Sequence, residues 1–340
     1  MKDGKMTRRE FAKTGSLLVA GALASGTALK ALAAEPPAQP QMDRTQVRGF
    51  NEKMGYRRLG KTNLWISEVS LGGHGSSGLE NRKQVLTRAH ELGVNFVDTN
   101  MEGECKEYGR ALFELKLRDQ FYVSFSSWPT QIAHRPDTMK DKAKMLREID
   151  QRLADYHTDC LDIWRPVGST GGGDLTSIVT DQTLDIIAET FEAANKAGKI
   201  RFLGLSTHHP ATLKRTVAHK SGLYAVVLFP YFFMTKESEN GLLAACRQND
   251  VGSVAIKPMA AGFVRGQATA HLKKILSTPN LTAVIPGMAN VAQLDEDVQA
   301  SYTRTTRLTP AELNELAELN KDLFDRLPAK YQWLREWETV

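Results

Sequence analysis

From Tyr56 onward, short runs of β-branched and apolar residues alternate with longer stretches whose apolar positions recur at helical spacing. The runs predict eight strands, over residues 65–71, 95–100, 121–127, 160–166, 200–207, 225–230, 252–258 and 283–287. Between them the spacing predicts helices such as 82–92, 141–156 and 182–197. A helix between two strands returns the chain to the same edge direction, so the strands pair in parallel. Eight such units make an α/β fold of the (β/α)8 TIM-barrel class. Additional C-terminal helices follow, because Thr309-Pro310-Ala311-Glu312 sets a threonine N-cap before a proline at the first helical position, with the helix running toward Leu323. A doubly wound open sheet is the competing architecture. It wants a G-x-G-x-x-G loop early in the chain, and Leu71-Gly72-Gly73-His74-Gly75 lacks that spacing.

The segment ahead of this pattern reads as an address. Residues 7–13 are T-R-R-E-F-A-K, an apolar stretch of Gly, Ala and Leu covers 16–29, and Ala31-Leu32-Ala33 supplies a small-x-small cleavage signal. Arg8-Arg9 with Phe11 and Lys13 resembles a twin-arginine signal, and Lys30 beside the cleavage site disfavours the Sec route. The apolar stretch is well short of the roughly 20 residues that cross a bilayer, so no permanent membrane span is expected. Residues 1–34 are thus expected to be a signal peptide read by the twin-arginine export machinery, and 35–53 a Pro- and Gln-rich linker. Residues 54–340 form the barrel, delivered to the periplasm or otherwise exported.

Composition sharpens that division. The 340 residues are 41% hydrophobic and 24% charged, enough to bury a sizeable core. Net charge is +5, but residues 1–34 hold six bases and two acids, which leaves +1 (5 − 4) for the rest. The basic field therefore sits in the leader and gives no argument for a nucleic-acid partner. Cys105, Cys160 and Cys246 cannot all pair within one chain and lack the close spacing of a zinc or iron-sulfur site. His74, Glu102 and His208 come from different strands without a ligand motif, so no metal site is expected.

Four segments carry a family resemblance. Residues 54–73 (M-G-Y-R-R-L-G-K-T-N-L-W-I-S-E-V-S-L-G-G), Gly93-Val94-Asn95-Phe96-Val97-Asp98-Thr99, the run G-K-I-R-F-L-G-L-S over 198–206, and Val284-Ile285-Pro286-Gly287 resemble, in order, the aldo-keto reductases. The resemblance implies the same barrel, a nicotinamide cofactor (NAD or NADP), and carbonyl reduction by hydride transfer. It also implies a catalytic Tyr, Lys and His, with an Asp supporting the Lys. Asp98 matches that Asp. Glu102 falls at the Tyr position, Ser126 or a neighbour at the Lys position, and Val167 at the His position. On the cofactor side Ser206-Thr207 resembles the pair that holds the carboxamide, Leu228 stands where Gln is usual, and Ile256 where a stacking aromatic is usual. Gly287, Gln293, Glu296 and Asp297 resemble the adenosine-phosphate segment without its basic residues.

The C-terminal ends of barrel strands carry the active sites of such folds, which gathers His74, Asp98, Glu102, Arg165, His208, His209, Tyr231 and Lys257 at one mouth. Period two turns Arg165 inward with Val167, within reach of Asp98 as its ion partner, a purely structural role being the other reading. Asp98, Glu102, Lys257 and His208 are the expected catalytic residues, with the proton donor drawn from Glu102, Lys257 or His208. Ser206, Thr207, Gly287, Gln293 and Asp297 are the expected cofactor-binding residues. Three functions fit. One is an exported oxidoreductase acting on a small molecule with a preloaded cofactor, another a barrel that binds a small molecule or protein without catalysis, and the third a cofactor-free lyase or isomerase.

Overall fold

The computed structural model describes residues 40–72, 78–126, 141–169, 179–235 and 241–339. The leader and most of the linker lie outside them. The chain divides into Met1–Gln41 and a unit spanning Met42–Val340, and the fold below is that of the second unit.

An antiparallel hairpin comes first, β1 (Tyr56–Arg58) against β2 (Trp65–Ser67), with Tyr56 opposite Ser67. The barrel strands follow: β3 (Leu71–Gly72), β4 (Phe96–Thr99), β5 (Tyr122–Phe125), β6 (Leu161–Trp164) with its continuation β7 (Val167–Ser169), β8 (Ile200–Thr207), β9 (Tyr224–Pro230), β10 (Gly252–Ile256) and β11 (Ala283–Ile285). They lie side by side in sequence order and in parallel, with β7 also pairing β8. Parallel bridges Val69–Val284 and Gly72–Gly287 join the last strand to the first. Each crossover carries a helix: α1 (Leu79–Glu91), α2 (Glu102–Glu114), α3 (Lys142–Asp155), α4 (Asp181–Lys196), α5 (Pro210–Val217), α6 (Leu242–Gln248) and α7 (Ala268–Leu276), with α8 (Val291–Tyr302) after β11. The (β/α)8 expectation is therefore met, with one correction. The apolar run 65–71 is not one strand. Glu68 N–H bonds Gly55 O at 2.9 Å while Ser70 N–H bonds Val284 O at 3.0 Å, so the chain leaves the hairpin and enters the barrel between them.

Period two sorts the strand residues into two cores. Phe96, Tyr122, Ile163, Leu228 and Ile285 fill the barrel interior, closed at its base by Leu59, Leu64 and Ile66 of the hairpin. The alternate faces pack on the helices, as with Val97 and Val123. After α8 come α9 (Pro310–Asn320), α10 (Leu323–Arg326) and a 3-10 run, Ala329–Thr339. Thr309 caps α9 as expected, its hydroxyl accepting Glu312 N–H at 3.2 Å while Glu312 accepts Thr309 N–H at 2.7 Å. The helix ends at Asn320 rather than Leu323. The last run packs beside the β8–β9 ends: Trp337 is fully buried, stacks on Phe229 at 5.7 Å, and donates its indole N–H to His208 O at 3.1 Å.

Candidate active site

The floor of the mouth is a closed ion-pair network. With Phe96 and Ile163 pointing into the barrel core, period two turns Asp98 and Arg165 into the mouth above them. Arg165 reaches across the intervening β5 and donates Nε to Asp98 Oδ1 at 2.5 Å and Nη2 to Oδ2 at 2.6 Å, with a further bond from Nη2 to Thr99 O at 3.0 Å. Only 3% of the Arg165 side chain and 7% of Asp98 are exposed. Gly204 makes room for this crossing, since a Cβ there would sit 3.2 Å from Arg165 Cβ and 3.0 Å from Val226 O. Beside the pair, Ser126 donates its hydroxyl to Asn100 Oδ1 at 2.9 Å, and Arg165 Nη1 lies 3.5 Å from the same oxygen. A guanidinium is a poor proton donor, and this bidentate grip fixes its position.

Above the floor lies a cavity of about 760 Å³, a volume suited to a small molecule or cofactor. Asp98, Asn100, Arg165, Val167 and Ser206 line it below, the β10 loop from Ile256 to Met259 forms one wall, and His208 and Tyr331 stand at another. Gly287, Gln293, Glu296 and Asp297 line the far end. Two titratable side chains stand out. The Lys257 ammonium forms no ion pair or hydrogen bond among the described residues, and burial lowers it from the ordinary lysine range. Its backbone is left-handed, with φ 53°. Asp297 is 5% exposed, and its carboxyl likewise has no hydrogen-bonding partner among the described residues. Burial, reinforced by the neighbouring Glu296, pushes its carboxyl up to about 7.

Several expectations change. Glu102 is not in the cavity: it sits on the exposed first turn of α2, paired with Lys106 at 2.6 Å, and that bond lowers its carboxyl below the ordinary value. The burial that would make it an acid is instead found at Glu104, 5% exposed, where desolvation pushes the carboxyl up to about 7. Glu104 serves the backbone, however, accepting Asn100 and Met101 N–H at 2.8 and 3.2 Å. Ser206 faces the cavity but Thr207 does not, because adjacent strand residues point to opposite faces; its hydroxyl accepts His209 N–H at 3.0 Å. His208 lines the cavity with its ring stacked on Trp333 at 4.3 Å. His209 caps α5, its Nδ1 accepting Thr212 N–H at 3.3 Å. Tyr231 packs on Phe229 and lines a different hollow. Cys105 is buried and donates to Thr99 Oγ1 at 3.3 Å, with its thiol pushed up to about 11 by burial. His74 lies outside the described residues. Among those that are described, no cluster of His, Cys, Asp and Glu could hold a metal ion, and no helix is long and apolar enough to cross a membrane.

Asn100 and Tyr331 belong to the cavity without a sequence signal that singled them out. Asn100 directly follows the β4 strand end, which was the available hint; Tyr331 arrives from the C-terminal run, more than 200 residues away (331 − 100 = 231).

Comparison with known proteins places this geometry in context. Residues 68–275 match the aldo/keto reductase family. The chain is 25% identical over 318 residues to the uncharacterized oxidoreductase YqkF of Bacillus subtilis, covering 79% of this chain and 97% of that protein. It is 24% identical over 237 residues to the L-glyceraldehyde 3-phosphate reductase of Escherichia coli O157:H7, covering 63% of this chain and 64% of the relative. It is 26% identical over 207 residues to the aldo-keto reductase yakc [NADP(+)] of Schizosaccharomyces pombe, covering 57% and 56%. The chain thus spans less than two thirds of the length of these last two. The match runs from Glu68, where the chain enters the barrel, through β10 and α7, and so takes in Asp98, Arg165, Ser206 and Lys257 within one family segment; this chain belongs to the aldo/keto reductase family.

Proposed function

We propose that the protein is an exported oxidoreductase that reduces a small carbonyl compound with a nicotinamide cofactor loaded before export, and that Lys257 supplies the proton. Lys257 carries the reading: it is a cavity-lining, titratable cation with no charged partner among the described residues. A reduced nicotinamide supplies the hydride when bound. The ammonium of Lys257 then protonates the carbonyl oxygen as negative charge develops there, a role open to a lysine freed of counter-charge and closed to Arg165. Asp98 keeps Arg165 in place, and the guanidinium adds fixed positive charge beneath the cavity. The relative named for reducing a three-carbon phosphorylated aldehyde supports a small carbonyl substrate.

The far end of the cavity favours NAD over NADP. Glu296 and the buried Asp297 would accept hydrogen bonds from ribose hydroxyls, while a 2′-phosphate would face two acidic side chains with neither lysine nor arginine among the described lining residues there. Export through the twin-arginine route is supported by Arg8-Arg9, the short apolar stretch and the cleavage signal. That route carries folded proteins, which agrees with a cofactor bound beforehand.

The test is NADH-dependent reduction of short aldehydes by protein purified from the cytoplasm. Lys257→Met should lower kcat/KM by roughly 10²–10⁴-fold, the usual worth of a general acid. Unchanged turnover in that variant would remove Lys257 from the mechanism. A second reading, a binding barrel without catalysis, draws on the floor, where Asp98, Arg165, Asn100 and Ser126 satisfy one another. It predicts no dinucleotide binding and no turnover.

A further inference from the structure

The loop that carries Lys257 holds an unusual backbone. Lys257, Ala260, Ala261 and Gly262 all have positive φ, at 53°, 45°, 57° and 90°. Three of the four carry a Cβ, which that conformation opposes. Turn bonds hold the loop, with Ala260 N–H donating to Lys257 O at 2.8 Å and Gly262 N–H to Met259 O at 2.8 Å. Strain kept at a strand end beside a cavity fixes the direction in which the Lys257 stem leaves the barrel.

Lys257 sits on an apolar stretch of the cavity wall. Ile256, Pro258 and Met259 flank it in the chain, and Ile285, in register with Ile256 on β11, lines the same cavity with Pro286. Asp98 is committed to Arg165, and neither Glu296 nor Asp297 forms an ion pair with Lys257. An ammonium in that setting loses water and gains no counter-charge from the described residues, so it gives up its proton more readily than an exposed lysine does. A free amine in an apolar pocket is a nucleophile toward carbonyl carbon.

We infer that Lys257 forms an imine with a short hydroxy-ketone or hydroxy-aldehyde bound in this cavity. The inference rests on the reading above that the cavity takes carbonyl compounds, since an amine close enough to protonate a carbonyl oxygen is one atom away from the carbon. Nζ attacks the carbonyl carbon to give a carbinolamine, the C–O bond then breaks, and the two amine hydrogens end on the departing water. No oxidant or reductant is consumed. Polar side chains of the lining, Ser206 among them, offer hydrogen-bond partners for the hydroxyl of such a compound.

The experiment is reductive trapping of the purified mature protein with hydroxyacetone and sodium cyanoborohydride, read by peptide mass mapping. The expected result is one reduced adduct on Lys257, formed at least about tenfold faster than on exposed lysines such as Lys321. It should be absent from Lys257→Arg, which keeps the cation and cannot form the imine, with circular dichroism confirming its fold. Labelling of Lys257 at the rate of exposed lysines overturns the inference. So does the absence of an adduct, and if NADH-dependent reduction persists in that protein, the redox reading stands while imine formation falls. An adduct on Lys257 without turnover on either dinucleotide does the reverse, upholding the imine and removing hydride transfer.

Discussion

Replacing Arg165 by methionine strips the counter-charge from Asp98 while keeping most of the buried stem volume. The guanidinium makes bonds of 2.5 and 2.6 Å to the carboxylate and 3.0 Å to Thr99 O, and 7% of the Asp98 side chain is exposed. Few positions in the fold offer so little solvent to an orphaned charge. Breaking such a pair from one side costs about 3–5 kcal/mol, mostly the penalty of the carboxylate left behind. Replacing both residues, Asp98→Leu with Arg165→Met, removes the charge itself, and Thr99 O keeps Ser126 N–H as a donor at 3.0 Å, so no buried acceptor is orphaned. The double variant should therefore be more stable than Arg165→Met alone. Urea unfolding followed by tryptophan fluorescence measures both. A loss under about 1 kcal/mol for the single variant, or a double variant less stable than either single one, would refute the claim that the pair is a desolvated, mutually dependent unit.

Three other outcomes follow from the geometry. Burial pushes Glu104 up to about 7 from an ordinary 4.5, so between those values the folded state keeps a proton the unfolded chain has lost; stability then falls as pH rises through that window, by on the order of 3 kcal/mol. Glu104→Gln keeps an oxygen for the Asn100 and Met101 amides and should match the parent at pH ~4 and exceed it at pH ~8 in thermal melts, whereas a less stable variant at pH ~8 would contradict the assignment. Trp337→Ala removes a fully buried ring stacked on Phe229 and should cost about 3–5 kcal/mol in urea unfolding, while a loss below about 1 kcal/mol would mean the C-terminal run is not docked. Glu102→Gln, on an exposed helix turn, should leave carbonyl reduction within about twofold of the parent, and a hundredfold loss would restore Glu102 to the mechanism.

Alternation of strands and helices was enough to read the barrel, because each β-run is short, each helix carries its own period, and parallel closure follows from their order. The inward turn of Arg165 was legible for the same reason: period two needs no knowledge of neighbours. The hairpin was not, since residues 65–71 (W-I-S-E-V-S-L) carry no turn signal, and what divides them is a pair of contacts to Gly55 and Val284, the second more than 200 residues away (284 − 70 = 214). Thr207 misled because a paired motif hides the fact that adjacent strand residues face opposite ways. Glu102 and Glu104 show the limit more sharply. They are the same residue type two positions apart, and the phase of α2 against the barrel leaves one in solvent and the other buried. His208 required knowledge of Trp333 and Trp337, whose contacts close only when the C-terminal run returns across the mouth.

In the proposed mechanism the two cations of the cavity divide the work of the site. Arg165 is held through two of its nitrogens by Asp98, so it contributes a fixed field and nothing that moves. Lys257 is held by no partner among the described residues and exchanges its proton at lower pH than an ordinary lysine. If proton transfer occurs here, it belongs beside β10 and not above the Asp98 floor, and the carbonyl oxygen must turn toward Ile256 and Pro258. With Lys257 as the proposed donor, the alkaline limb of the pH–rate profile carries its mark: turnover would need the ammonium and should fall as pH rises through the lowered value of Lys257. Reduction that persists unchanged well into the ordinary lysine range would place the donor elsewhere.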